Sequence, residues 1–160
     1  MATQTLSTAD ELLHYQLRSA LTMEDDSLAA LGVLEKAAKS AKIKKMFSHH
    51  ADETKEQIEN LRRAFMLLDL KPTTAPSPST KGISKQAESL IKRSDASLHD
   101  QVVLASALGN EHFEIASYQS LIIAVSPMGA SDVVSLLSAN LDQETHTSEE
   151  LKAELERIAS

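Results

Sequence analysis

All four prolines of the chain fall in two places. Pro72, Pro76 and Pro78 cluster in KPTTAPSPSTKG, and Pro127 lies in SPMGAS. Proline lacks the N–H of a helical hydrogen bond and clashes with the preceding turn, so both stretches are breaks. A third, weaker break falls near Ser40 and Ala41, where two apolar patterns change phase. Four long segments remain, about 8–39, 42–70, 97–125 and 131–158. They are rich in Leu, Ala, Glu, Lys and Gln, the residues that favour helices. None keeps a period of two for long, so the chain is expected to be all-α. A proline-rich linker over 71–81 leads into a shorter helix over about 82–94, and residues 1–160 read as a single domain.

The joints suggest connectivity. A joint of one or two residues forces the first two segments antiparallel, and SPMGAS does the same for the last two. The long stretch between them can cross the full length of a bundle and carry the short extra helix. Two short joints around one long crossover is the order of a ferritin-like antiparallel four-helix bundle.

Composition excludes several functions. The chain has no Cys, which removes disulfides, thiolate metal sites and Cys nucleophiles. A net charge of −7 argues against a nucleic-acid surface, which needs a basic stripe. No apolar run approaches the length of a membrane span, and MATQTLSTADELLHY lacks the features of a secretion signal. A soluble, cytoplasmic protein is the expectation. No nucleophile elbow or phosphate-cradling glycine loop is present.

The informative residues are acids on the apolar stripes. Stepping by three and four along the first segment gives Leu17, Leu21, Glu24, Leu28 and Leu31. The second gives Phe47, His50, Glu53, Gln57 and Leu61; the third, Ala107, Glu111, Glu114, Tyr118 and Leu121; the fourth, Val134, Leu137, Leu141, Glu144 and Ser148. One Glu on one stripe usually sits at its edge or pairs with a Lys. Four helices placing an acid at matching depth is different, because buried carboxylates are costly and repel one another. The stripes carry no Lys or Arg to balance them. Two divalent cations would nearly offset Glu24, Glu53, Glu111, Glu114 and Glu144, moving the net charge from −7 to −3. The other reading is a polar core of protonated acids and water.

Ligand chemistry favours metal. Carboxylate and imidazole suit iron, manganese or zinc. Glu111 and Glu114 are three residues apart and lie one above the other, as do His50 and Glu53. Di-metal carboxylate bundles place Glu on two helices and Glu-x-x-His on two others. Here the pattern is varied: His50 precedes its Glu, the third helix has Glu-x-x-Glu, and Thr147 stands where a second His would. His49 lies about 100° around the helix from His50, and His112 and His146 point away from the stripes. Asp100 shares the face of Glu111 and is expected either to bond His50 or to hold a helix contact. Tyr118 reads as core packing, or as a hydrogen-bonding or radical-bearing group near a redox metal.

The segments TMEDDSLAAL, FSHHADETKEQIENL, NEHFEIASYQSL and LDQETHTSEEL resemble the ferritin-like family typified by YciE and YciF. The resemblance spans about 8–155, and EHFEIASY is its most specific part. It implies the fold of rubrerythrins and bacterioferritins, a homodimer, a link to bacterial stress responses, and two divalent metal ions in the core. Iron is the first expectation, with manganese or zinc as alternatives. The ligands carry over onto Glu24, His50, Glu53, Glu111, Glu114 and Glu144. The chain departs from the family pattern at Gln86, where a Glu is expected, and at Ser148, where Asp is common.

The function expected is therefore a di-metal carboxylate protein that reacts with oxygen or hydrogen peroxide in a stress response. The alternative is a non-catalytic stress or interaction protein whose metals are structural. No residue is assigned a catalytic role beyond metal binding.

Overall fold

The computed structural model describes residues 5–160, so residues 1–4 of the expected domain lie outside the described residues. The described residues form five α-helices and no strand: α1 (Ala9–Ala37), α2 (Ala41–Leu67), α3 (Pro78–Arg93), α4 (His99–Val125) and α5 (Ser131–Ala159). Short 3-10 turns at Ala96–Leu98 and Ser126–Met128 lead into α4 and out of it.

Local chemistry sets the ends. Thr8 Oγ1 accepts from the Glu11 N–H at 3.1 Å while the Glu11 carboxylate accepts from the Thr8 N–H, a reciprocal cap that starts α1. The joint between α1 and α2 is three residues long, 38–40. Asp100, in the first turn of α4, accepts the N–H groups of Lys39 at 2.6 Å and Ser40 at 3.1 Å there. Helix α2 stops at Leu67, short of the expected 70. Asp69 adopts a left-handed φ of 54°, and the Leu70 N–H turns back to the Phe65 carbonyl at 2.9 Å, the standard wrap of a helix C-terminus. Helix α3 begins at Pro78, inside the stretch expected as linker. Proline is well suited to a first helical position, where its missing N–H would have had no partner.

Hydrogen bonds fix the packing directions. Along α1 and α4, Asp100 meets residues 39 and 40, Asn110 meets Ser27 and Tyr118 meets Glu24, so these helices are antiparallel. Along α2 and α5, Lys42 meets Glu154, Glu53 meets Thr147 and Asn60 meets Asn140, again antiparallel. The crossover runs along α1 in its own direction. Arg18 donates to the Thr74 carbonyl at 2.8 Å, Thr22 to the Ala75 carbonyl at 2.6 Å, and Thr80 to Asp26 at 2.8 Å. That path returns the chain to the end of the bundle where α2 began. Helix α3 covers the flank of α1 and α4, tucking Ala87 against the apolar layer that holds Val103 and Leu104.

The core has two apolar layers. One holds Leu17, Leu61, Phe65, Leu121 and Leu137; the other holds Leu34, Ile43, Phe47, Leu104 and Leu151. Each wholly buried Leu, Ile or Phe contributes about 1.5–3 kcal/mol relative to exposure. The positions of the stripe acids in all four helices fall between these layers, so apolar burial above and below holds a polar belt in place.

Candidate metal centre

His50 is the hub of the belt. It lies one turn beyond Phe47 on α2, and its ring is buried. Its Nε2 is 3.0 Å from Glu111 Oε1 and 3.9 Å from Glu144 Oε2; its Nδ1 is 3.5 Å from Glu53 Oε2. His50, Glu111, Glu114 and Glu144 each offer one donor atom, and these atoms lie within 4.8 Å of one another. Three helices thus deliver one compact set of ligand-type atoms. All four residues are buried.

The other two expected ligands sit on the flanks. Glu24 is wholly buried, but its Oε1 accepts from the Tyr118 hydroxyl and it stands outside the four-donor set. Glu53 is not in the core: its side chain is 16% exposed and it faces His49 Nε2 at 3.6 Å as well as His50. Thr147 donates to Glu53 at 3.3 Å. Glu53 therefore marks the edge of the belt nearest solvent. Asp100 does not reach His50. Its carboxylate is used at the joint before α2, because its place in the first turn of α4 puts it beside the free N–H groups of 39 and 40. Tyr118 is buried and bonds Glu24. His112 is exposed, and the His146 side chain is 67% exposed.

Sequence reasoning missed Asn140. The stripe of α5 was expected to pass through Val134 and Leu141, whereas Val133 and Asn140 are the buried residues. Asn140 stands four residues before Glu144, which puts it on the same helix face; that spacing was the available signal. Glu154 is also buried and was missed: Lys42 reaches it from α2, and the signal along α5 itself was Arg157, three residues on.

Electrostatics of the belt follow from burial and like charge. Burial, with the charges of Glu24 and Glu111 beside it, raises Glu114 well above the usual carboxylate range. Burial and the charge of Glu114 do the same to Glu144. Glu24 is pushed up to about 8 by burial, against the lowering effect of the Tyr118 hydrogen bond. Burial opposes a proton on His50, but its bonds to Glu111 and Glu53 prevail and push it up to about 10. Glu53, bonded to His50 and nearer solvent, is lowered.

A cation fits these residues. Both oxygens of Glu114, both of Glu144, and Oε2 of Glu24 and of Glu111 are buried with no hydrogen-bond partner. A buried acceptor left unpaired is destabilising, and hard oxygen donors around one imidazole are the donor set of iron, manganese and zinc. The cluster could hold metal.

An antiparallel four-helix bundle with a long crossover, carrying a carboxylate–histidine cluster at mid-depth, has the ferritin-like fold. The comparisons agree. The chain belongs to the family described as Domain of unknown function (DUF892), which matches residues 8–160. Protein YciF of Escherichia coli strain K12 is 26% identical over 144 residues, covering 89% of this chain and 87% of that protein. The crystal structure of that stress protein matches with a TM-score of 0.89. YcfI from Rhodopseudomonas palustris matches with a TM-score of 0.90 at 29% identity, over 95% of this chain and 98% of that one. Symerythrin from Cyanophora paradoxa shares the fold, with a TM-score of 0.68 at 18% identity over 99% and 90% of the two chains. No helix among the described residues is long and apolar enough to cross a membrane.

Proposed function

We propose that this chain is a di-metal carboxylate protein, with iron or manganese at the His50 cluster, that reacts with oxygen or hydrogen peroxide in a stress response. The observation that carries the reading is the set of buried, unpartnered oxygens on Glu24, Glu111, Glu114 and Glu144 around one imidazole. Four helices hold these groups in place. Nothing within hydrogen-bonding reach in the protein satisfies them.

Two redox-active ions bound there would supply the electrons needed to break an O–O bond. His50, Glu111, Glu114 and Glu144 would hold one ion as the compact donor set, and Glu24 and Glu53 would extend the set to a second. Glu114, wholly buried with both oxygens free, would be among the residues that hold the ions. Leu17, Leu104, Leu121 and Leu137, buried in the layers on either side, keep bulk water from the belt. Glu53, the half-buried acid of the belt, with Thr147 and His49 beside it, forms the side on which a small solute arrives. The stress function of the relative YciF supports a defensive role, and the family resemblance supports a homodimer in the cytoplasm.

Anaerobic addition of Fe²⁺ to metal-free protein, followed by air, tests the reading. The expected result is saturation at two ions per chain and a charge-transfer band in the near ultraviolet after oxidation. Saturation without any oxidation faster than that of free Fe²⁺ would favour structural metals instead; no uptake at all would overturn the reading.

A further inference from the structure

A chain of four polar side chains beside the belt ends on Glu24, and its direction is fixed by one group that can only accept. That group is the backbone carbonyl of Gln57. Asn140 Nδ2 lies 3.2 Å from this oxygen, so the amide presents its NH₂ there; turned over, two carbonyl oxygens would face each other. The same nitrogen lies 2.9 Å from the Tyr118 hydroxyl oxygen, which therefore accepts from Asn140. Tyr118 has a single proton, and with its oxygen already accepting from Asn140 the acceptor beside it is Glu24 Oε1. At the outer end, Asn60 Nδ2 donates to Asn140 Oδ1 at 2.8 Å and leaves Asn140 with no unmet polar atom on that side. Asn140, Tyr118 and Glu24 are all 0% exposed, so water does not compete for these bonds.

We infer that Asn140 is a positioning residue for Glu24. By occupying the accepting side of Tyr118, it commits the phenol to donate to Glu24 Oε1. Glu24 is thereby oriented through one oxygen, while Oε2, which has no partner in the protein, is left for a cation. An alternative role, in which Asn140 only joins α5 to α2, would leave Tyr118 free to choose its acceptor. The inference rests on the metal reading above, and it assigns a task to a residue on α5 whose own hydrogen bonds go to Asn60, the Gln57 carbonyl and Tyr118.

The test uses two readouts. The chain has two tyrosines and no Trp, so Tyr15→Phe leaves Tyr118 as the only tyrosine for ultraviolet resonance Raman. In metal-free protein its ring doublet should report a hydroxyl that donates and accepts at once, and Asn140→Leu should convert it to a donor alone. A parent doublet of the acceptor-only type would overturn the direction assigned here. The second readout is Co²⁺ affinity by calorimetry. Asn140→Leu and Tyr118→Phe should each weaken the more labile ion roughly 10- to 100-fold, as is usual for groups that orient metal ligands. The double variant should be no weaker than Tyr118→Phe alone, because both act through one bond. The smaller Asn140→Ala serves if the Leu variant does not fold. Additive losses, or unchanged Co²⁺ affinity in Asn140→Leu, would overturn the role of Asn140 while leaving the metal reading intact. A parent protein that takes up no Co²⁺ would overturn both.

Discussion

Glu144 shows how a residue can be destabilising by itself and still belong in the core. It is wholly buried on α5, both its oxygens lack partners, and its nearest positive group is His50 Nε2 at 3.9 Å. A buried polar group left without hydrogen-bond partners costs roughly 1–3 kcal/mol, and an apolar side chain in its place removes that cost. Glu144→Leu should therefore raise the melting temperature of metal-free protein, at roughly 2–4 °C per kcal/mol for a chain of this size. The same variant should lose most of the rise that metal gives the parent. Differential scanning calorimetry with and without Co²⁺ reads both, and a lower metal-free melting temperature would count against the polar belt as a source of strain. Glu111 is different. Its contact with His50 at 3.0 Å means that Glu111→Ala leaves Nε2 of a buried imidazole unpaired, so metal-free stability should fall by about 1–3 kcal/mol, measured by urea titration.

At the scale of elements, two acids hold helices together away from the belt. Asp100 fastens the start of α4 to the joint between α1 and α2 through two backbone N–H groups. Asp100→Ala should cost about 1–2 kcal/mol of stability, less than a fully buried charged bond because the site is half-buried, and should leave metal affinity unchanged. Equilibrium denaturation paired with a Co²⁺ titration checks the two halves of that statement. Glu154 on α5 is bonded by Arg157 at 2.6 and 3.0 Å and by Lys42 of α2. Arg157 and Lys42 hold its carboxyl at about 2, below the ordinary 4.5. A depressed folded value contributes stability that is fully present above the unfolded value and is lost as pH falls. The stability of the parent should thus drop between pH 4.5 and 2 more steeply than that of Glu154→Gln. Matching acid-unfolding curves for the two proteins would show that this clasp does not join α2 to α5.

At the scale of the whole molecule, binding of metal is binding to the folded state alone, because no unfolded chain gathers donors from four helices. Metal at 100 times its dissociation constant adds about 2.7 kcal/mol. That corresponds to a melting temperature roughly 5–10 °C higher with Fe²⁺, Mn²⁺ or Co²⁺ than in a chelator. Unchanged melting across that comparison would mean that the buried acids are satisfied by protons. The net charge of −7 has its explanation at this scale too: Glu24, Glu111, Glu114 and Glu144 are interior, so part of the acidity never faces solvent.

The sequence alone determined the helices and their faces, because proline position, residue propensity and three-to-four spacing are local properties of the chain. It determined that four of the helices carry an acid on or beside their apolar stripe, and the resemblance in EHFEIASY and HADET pointed to the right fold. Tertiary structure decided the rest. The facing of helices across the core set which acids share one site: His50, Glu111, Glu114 and Glu144 converge, Glu24 is claimed by Tyr118, and Glu53 lies at the edge. The stripe left Asp100 two roles, a bond to His50 or a helix contact, and the free N–H groups of a neighbouring joint decide for the second. The stripe of α5 read through Leu141, and the rotation of α5 against α2 buries Asn140 in its place. A helix face is written in the order of residues along one segment, whereas a hydrogen bond between segments depends on rotation and register, which no single segment encodes.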